Sequence, residues 1–334
     1  MFVAATVALA GAQQLGTDGP WWLELSRYLS YPLLLVPAFA ALFLSWRLGR
    51  FWVVASVVAI IVFATVAMGF VWHPGRREGN LRLMTYNVKA GNAWLRPGGV
   101  EALAREVARY GPDVVVMQDA HPLLRGRPSE AEKAPLFGLP EIHVAGQYII
   151  ASRLPLRDCS EGVLETGGEP LAFARCTLDS KGGAVEVMTV HFESPRSGLN
   201  AARHEGFDGI VQWQQNHESR LAQARALARA LEHGKRPLIL AGDLNAPESS
   251  AVIQSLLAVG LRDAFSSAGR GYGYSYGHTL RPAFSFLRID HILVSPQIGV
   301  SDCFVGEKEA SDHRPVIADL VLHESAMNSA TTAP

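Results

Sequence analysis

The sequence lacks an excess of basic residues outside its first 73 positions. Three of the 30 Lys and Arg residues and two of the 31 Asp and Glu residues precede position 73, so the remainder carries a net charge of about −2. Proteins that grip long duplex DNA through many phosphates usually present a basic surface. The balance of charge therefore disfavours a protein that wraps DNA.

Cysteine is also scarce, with three in 334 residues. Cys159 and Cys176 flank Gly167 and Gly168, a dipeptide that suits a two-residue hairpin turn because glycine accepts positive φ. With the turn there, the two cysteines face each other, close enough for a disulfide that would indicate an oxidising compartment. Two reduced core cysteines fit the same pattern, and Cys303 has no obvious partner.

Two long stretches, residues 29–46 and 51–72, contain no charged residue. Each is long enough to cross a hydrocarbon layer of about 30 Å, and Trp46 and Trp72 mark ends where aromatic rings favour the membrane interface. We predict two transmembrane helices, and hence a multi-pass protein of a bacterial inner membrane. Buried core helices are the alternative, which the lengths and the tight "RLGR" connector disfavour.

The first 15 residues are apolar but lack the basic region and cleavage site of a secretory signal. They fit a short third span or a truncated one. Arg47 and Arg50 favour a cytoplasmic connector, which places the C-terminal domain on the extracytoplasmic side. The preference is slight, because other arginines would then lie outside: Arg27, Arg76, Arg77 and Arg82.

No internal repeat or low-complexity block interrupts residues 80–322, where short apolar runs alternate with helical stretches. Many strands joined by hairpins, with a few helices inserted, predict a layered α/β (α+β) fold rather than a doubly wound parallel sheet. Residues 1–73 then form a membrane segment, residues 74–79 a linker and residues 323–334 a disordered tail.

Polar side chains with catalytic chemistry stand at six strand ends. Each has an ordinary explanation alone, since a histidine there is usually structural and the aspartate of "GDLNAPESS" suits a turn. Together they predict one cleft, because strand ends converge in a layered α/β domain. The residues are Asn87, Gln118, Asp119, His191, Asp243, Asn245, Asp290, His291, Asp312 and His313.

This set combines carboxylates, amides and imidazoles. Carboxylate and amide oxygens are ligands for a hard cation, Mg²⁺ or Mn²⁺, rather than for zinc, which prefers thiolates and imidazoles. Such a cation neutralises phosphate oxygens, while imidazoles paired with carboxylates supply acid and base groups near neutral pH. The set therefore predicts metal-dependent chemistry on a phosphate ester.

Six motifs carry a family resemblance: "TYNV", "VVMQD", "TVHF", "GDLNA", "RIDHIL" and "SDHRPV", in this order between residues 80 and 322. In them the chain resembles the endonuclease/exonuclease/phosphatase superfamily of deoxyribonuclease-like, metal-dependent phosphoesterases, here of a bacterial membrane-anchored type. The resemblance implies a four-layer sandwich, with two mostly antiparallel β-sheets packed together between outer helices.

The resemblance also implies catalytic roles. Asp243 and Asn245 would hold the attacking water and a phosphate oxygen. His313 would pair with Asp290, which fixes its tautomer, and either His313 or Asp243 would be the general base. His191 would contact the phosphate or assist the leaving group. The reaction would be in-line attack of water on a phosphoester, with a cation stabilising the developing charge.

On the metal side the resemblance implies Asn87, Asp119 and Asp312 as ligands. The family usually has Glu after Gln where this chain has Asp119 after Gln118. Aspartate is one methylene shorter, so the cation is expected to sit differently or to bind through water. Arg314 is either a contact to the substrate phosphate or a surface charge.

The membrane segment bears on the substrate. A domain tethered beside a bilayer meets lipids at high effective concentration, so a lipid or small phosphoester is favoured slightly over nucleic acid. The tyrosines of "GYGYSYGHTLRPAF" would stack on bases, meet lipid, or pack back on the domain.

Two alternative functions are kept, and neither implies a protein partner. A non-catalytic membrane module that binds phosphorylated ligands would turn over no phosphoester. A nuclease would need a groove of arginines beside the metal, drawn from Arg196, Arg203, Arg220, Arg281, Arg288 and Arg314.

Overall fold

The computed structural model describes residues 8–9, 11–12, 20–73, 79–93, 95–124, 136–232, 234, 236–277 and 284–323. Nearly all of the predicted span at 1–15, most of the predicted linker, the tail after position 323 and Arg281 lie outside these residues.

Two six-stranded mixed sheets form the centre of the fold. In the described residues the strands, of which β1 and β11 form a separate two-stranded sheet, are β1 (Val71–Trp72), β2 (Leu81–Asn87), β3 (Val114–Gln118), β4 (Glu141–Ala145), β5 (Tyr148–Ser152), β6 (Leu156–Leu164), β7 (Leu171–Ser180), β8 (Gly183–His191), β9 (Leu238–Asp243), β10 (Arg262–Asp263), β11 (Arg270–Gly271), β12 (Asp290–Val294), β13 (Ile298–Val305) and β14 (Val316–Leu322). One sheet has the order β13-β14-β2-β3-β5-β4 and the other the order β10-β12-β9-β8-β7-β6.

Some of the helices in the described residues cover the outer faces of the two sheets. The α-helices are α1 (Trp21–Ser26), α2 (Tyr31–Ser45), α3 (Arg50–Val62), α4 (Ala90–Ala93), α5 (Gly99–Tyr110), α6 (Arg196–His204), α7 (Gly206–Leu231), α8 (Ala251–Leu257) and α9 (Ala264–Ala268). Leu103 and Val107 of α5 pack on one sheet, and Leu227 of α7 and Leu256 of α8 pack on the other. The predicted layered α/β fold is confirmed.

The core between the sheets follows from strand geometry. Side chains alternate between the two faces of a strand, so Val114 and Val116 of β3 point towards the facing sheet and meet Val185 and Val187 of β8 in one buried cluster. Val115 of β3 belongs instead to the outer cluster beneath α5. The buried strands therefore read as nearly continuous apolar runs in the sequence.

One parallel pair in each sheet positions the site. The C-terminal ends of parallel β2 and β3 bring Asn87 beside Gln118, and those of β8 and β9 bring His191 beside Asp243. Antiparallel β12 begins at Asp290, directly opposite Asp243. Residues from five strands thus meet at one edge of the sandwich.

Two helical stretches precede the sheets, Tyr31–Leu48 and Arg50–Ala67, and both are long and apolar enough to cross a membrane, with 17% and 22% of their residues buried. The second ends earlier than the predicted Trp72. Gly69 adopts a φ of 70°, a conformation that favours glycine and ends helices. Val71 and Trp72 then form β1, which pairs antiparallel with β11.

The hairpin of β6 and β7 joins Cys159 to Cys176 in a disulfide, with Cα atoms 4.1 Å apart. The register is centred as predicted, because Leu164 faces Leu171. The turn, however, spans residues 165–170 rather than two glycines. Pro170 would face Glu165, and proline has no N–H to extend the ladder.

Candidate functional site

His313 and Asp290 are in contact, although 23 positions separate them. His313 lies in the loop before β14, and its Nδ1 donates to Asp290 at 2.9 Å from Oδ2 and 3.2 Å from Oδ1. The carboxylate fixes the tautomer and leaves Nε2 facing Asp243, 3.7 Å from Oδ2. Burial lowers the pKa of His313, but the Asp290 and Asp243 carboxylates outweigh it and the net pKa is raised.

Asp243 lies at the centre of the site, 1% exposed at the end of β9. Its Oδ2 accepts a hydrogen bond from Asn87 Nδ2 at 2.9 Å, and its Oδ1 accepts one from the Asn245 backbone N–H at 3.0 Å. Burial raises the pKa of Asp243, but the neighbouring His313, His191 and Lys89 outweigh burial and hold the pKa below its usual range.

His191, at the end of β8, lies between two carboxylates. Its Nε2 is 3.4 Å from Asp243 Oδ2, and its Nδ1 is 3.6 Å from Asp119 Oδ1. Nδ1 also lies 2.8 Å from Gln147 Oε1, to which it donates. This position links the predicted catalytic side of the cleft to the predicted metal side.

Asn245 is fixed by hydrogen bonds to residues whose supporting role was not predicted from the sequence. Its backbone adopts a φ of 49°, and its side-chain amide donates to the Phe192 carbonyl at 2.8 Å. The Asn245 carbonyl accepts from the Tyr28 hydroxyl at 2.9 Å and from Arg220 at 3.0 Å. Tyr28 follows α1, so a segment assigned to the membrane region supports the catalytic loop.

The three predicted metal ligands are each engaged by another side chain. Asn87 donates to Asp243, Asp119 forms an ion pair with Lys89 at 2.7 Å, and Asp312 forms one with Arg96 at 2.8 Å. Lys89 and Arg96 were missed by sequence reasoning. The only signal for Lys89 was its place two residues after Asn87 in "TYNVKAG".

The donor set suits a hard divalent cation. Asp243, Asp290 and His313 each offer a ligand atom, and these atoms lie within 4.8 Å of one another. Asp119 is about a third exposed and turns Oδ1 towards the cleft and His191. Oxygen-rich ligands of this kind are typical of Mg²⁺ or Mn²⁺ sites. The carboxylates therefore fit a metal, although the group of ligand atoms that meets in the cleft consists of predicted catalytic residues, not of the predicted metal ligands.

Arg314 follows His313 in the loop before β14. Its backbone N–H donates to the Ser275 carbonyl at 2.7 Å, and its side chain lines a cavity of about 410 Å³ with Phe304 and Tyr274. None of the predicted catalytic residues lines that cavity. The side chain of Arg314 thus lines a cavity next to the glycine-rich loop.

The tyrosines of the glycine-rich loop pack on the protein. Tyr276 places its ring 4.6 Å from that of His313, and its hydroxyl accepts from Arg196 at 2.9 Å. Tyr272 and Tyr274 stack on each other and pack against the end of the second apolar helical stretch. The loop therefore connects the site to the apolar helices.

Comparison with solved structures supports the fold. An endonuclease/exonuclease/phosphatase family protein from Bacteroides vulgatus is 20% identical with a TM-score of 0.52, over 73% of this chain and 99% of its own. An AP endonuclease from Archaeoglobus fulgidus is 17% identical with a TM-score of 0.52, over 71% and 98%. A protein of the family from Beutenbergia cavernae is 21% identical with a TM-score of 0.50, over 74% and 72%.

No curated protein matches the chain in sequence. The model of the Endonuclease/Exonuclease/phosphatase family, by contrast, matches residues 84–313, a range that contains all six motifs up to His313 and the cleft that they build. Members of this family are hydrolases that act on phosphoester bonds. On this match, and with the two sheets and their converging strand ends in place, the chain belongs to the endonuclease/exonuclease/phosphatase family.

Proposed function

We propose that the protein is a membrane-anchored phosphoesterase that uses a divalent cation, Mg²⁺ or Mn²⁺, to hydrolyse a lipid or other small phosphoester. The observation that carries this proposal is the buried row of Asp290, His313 and Asp243. One imidazole nitrogen is held by a carboxylate and the other faces the cleft, which is the arrangement a general base requires.

His313 is better placed than Asp243 to take the proton from the attacking water. Both oxygens of Asp243 already accept hydrogen bonds, from Asn87 and from the Asn245 backbone. His313 Nε2 has only a long contact of 3.7 Å to Asp243. Asp243 therefore orients Asn87, Asn245 and the imidazole, while His313 accepts the proton.

His191 and Asn245 would bind the phosphate. His191 stands 13% exposed between Asp119 and Asp243, where its ring reaches both sides of the cleft. The backbone of Asn245 is fixed by Tyr28 and Arg220, so its side chain meets the substrate in a constant position. Asp119, Asp312 and Asn87 would hold the cation, which when bound stabilises negative charge on the phosphoryl oxygens.

The arginines support a small or lipid substrate over nucleic acid. Arg220 is fully buried between Tyr28 and Trp213. Arg288 is 8% exposed and pairs with Asp263 and Glu248. Two of the six arginines that a nuclease groove would use are thus committed to internal contacts. A phosphoester beside a bilayer needs no such groove.

We propose that the protein belongs to a bacterial inner membrane, with its catalytic domain on the extracytoplasmic side. The disulfide between Cys159 and Cys176 supports an oxidising compartment, and Arg47 and Arg50 support a cytoplasmic connector. A C-terminal reporter that is active only in the periplasm should be active. Activity of a reporter restricted to the cytoplasm would overturn this orientation.

The test of the function uses the full chain in detergent with three substrates: bis-p-nitrophenyl phosphate, phospholipid vesicles and plasmid DNA. Hydrolysis is measured with Mg²⁺, with Mn²⁺ and with EDTA, for the wild type and Asp243→Ala. We expect metal-dependent hydrolysis of the first two substrates and its loss in the variant. Full metal-dependent activity in Asp243→Ala would refute the site, and cleavage of plasmid alone would identify a nuclease.

The remaining alternative, a non-catalytic module that binds phosphorylated ligands, has a distinct outcome in the same assay. It predicts no turnover of any of the three substrates with either metal, together with undiminished binding of phosphorylated ligands by Asp243→Ala.

A further inference from the structure

The ammonium group of Lys89 contacts Asp119, the carboxylate that is expected to bind the cation. Lys89 Nζ lies 2.7 Å from Asp119 Oδ2, and Lys89 is half-buried. The contact is an ion pair in which the Lys89 ammonium lies inside the cleft, against a carboxylate that is about a third exposed.

The backbone is built to hold this pair. Lys89 has a φ of 44° and Asp119 a φ of 51°, left-handed conformations that cost residues other than glycine about 1 kcal/mol or more. The exits of β2 and β3 are hydrogen-bonded to each other, since Val88 N–H donates to Gln118 and Ala90 N–H donates to Asp119. Two adjoining strained residues thus bring the ammonium and the carboxylate together.

The lysine also has room to leave Asp119. A cavity of about 300 Å³ opens beside the pair, lined by Lys89, Gly91, Asn92, Asp119, His121, Pro122 and Gln147. A lysine side chain has a flexible four-carbon stem and a compact charge. Movement into this cavity would free Asp119 Oδ2 while the other oxygen keeps its place beside His191.

We propose that Lys89 is an internal competitor for the divalent cation on Asp119, and that it sets the metal affinity of the site. The ammonium holds Asp119 until a cation binds the carboxylate, and the lysine side chain then turns into the neighbouring cavity. This role of Lys89 rests on the proposed function only in assuming that the bound cation serves phosphoester hydrolysis. The competition itself is a matter of charge, because a divalent cation beside an ammonium is repelled at a distance of a few ångströms.

Binding of Mn²⁺ to the full chain in detergent tests this directly. Free Mn²⁺ is counted by electron paramagnetic resonance for the wild type, Lys89→Met, Lys89→Arg and Lys181→Met. We expect Lys89→Met to bind Mn²⁺ about tenfold more tightly, since removing one unit charge a few ångströms from a divalent ion changes the affinity by about that factor or more. Lys89→Arg should stay near the wild type.

Lys181 is the matched control, because it is an exposed lysine in the turn between β7 and β8. Its replacement by Met should leave Mn²⁺ affinity unchanged. Asp119→Asn in the Lys89→Met background should remove the gain, which localises the effect to this carboxylate.

Unchanged or weaker binding in Lys89→Met would overturn the proposal, and so would the absence of binding in every variant. Failure of the proposed function is a separate result. A chain that hydrolyses no phosphoester, yet binds Mn²⁺ more tightly after Lys89→Met, supports the role of Lys89 and refutes only the function.

Discussion

Two aspartate–histidine pairs share strand β12, and they differ in what the second ring nitrogen meets. His313 is held by Asp290 through Nδ1 and turns Nε2 to the cleft. His291 contacts Asp263 through Nδ1 at 2.7 Å and the Ala246 carbonyl through Nε2 at 2.9 Å. Both nitrogens of His291 are used inside the protein. An imidazole can exchange a proton with substrate only when one nitrogen is left for it.

The largest expected difference between the two pairs is the loss of kcat/KM when each histidine is replaced by alanine. We expect His313→Ala to lower kcat/KM by about 10³-fold, within the range for loss of a general base. His291→Ala should change kcat/KM per folded molecule by less than about threefold, since its ring does not reach the cleft. Steady-state kinetics on bis-p-nitrophenyl phosphate, corrected for folded fraction, measures both. Equal losses of kcat/KM in the two variants would show that His313 has no catalytic role that His291 lacks.

The reverse contrast should appear in stability. His291→Ala leaves the buried Asp263 carboxylate without one of its partners, and breaking a buried polar contact of this kind costs about 3 kcal/mol. Chemical unfolding of the full chain in detergent, followed by tryptophan fluorescence, measures the free energy of unfolding. A smaller loss for His291→Ala than for His313→Ala would contradict the structural role.

Asp290→Asn tests how far the active pair depends on charge. The amide keeps the shape of the carboxylate but no longer stabilises the imidazolium, and loss of a supporting partner typically costs 10- to about 100-fold. We therefore expect kcat to fall by about that factor with little change in KM. Asp263→Asn is the matched control, and an equal fall in kcat there would count against Asp290 as the partner of the base.

The smallest effect concerns the support behind Asn245. Tyr28→Phe removes the hydrogen bond to the Asn245 carbonyl and the hydroxyl to which Arg220 donates, while Arg220 keeps its own bond to that carbonyl, a loss of about 1 to 2 kcal/mol. We expect a few-fold fall in kcat/KM and a small decrease in the free energy of unfolding. Tyr110→Phe is a control at a hydroxyl that meets the Glu307 backbone, away from the cleft. A larger fall in kcat/KM for Tyr110→Phe would argue against support through Tyr28.

The fold and most of the cleft were predictable because strand ends carry local signals. Hydrophobic runs end at Asn87, Gln118, His191 and Asp243, and the family motifs supply the order in which those strands meet. The partnership of His313 with Asp290 followed from the same resemblance.

The contacts that were not predicted join residues far apart in the sequence, and no local sequence pattern indicates such pairs. Lys89 meets Asp119 only because two left-handed residues at separate strand exits face each other. Tyr28 reaches Asn245 across 217 positions, from a stretch whose apolar neighbours predict a membrane helix. Strand β1 has two residues, too few for any periodicity to register.

The two apolar helical stretches are joined to the β-sandwich both before the first stretch and after the second. Tyr28 and its neighbours dock before the first helical stretch, and β1 pairs with β11 after the second. A domain joined to its membrane helices by one flexible linker can rotate freely relative to them. A domain that contacts the chain on both sides of the helical pair keeps a constant distance from the helices and a constant tilt. In a bilayer such a cleft would stay at a fixed height above the membrane surface and would reach only the groups that project to that height.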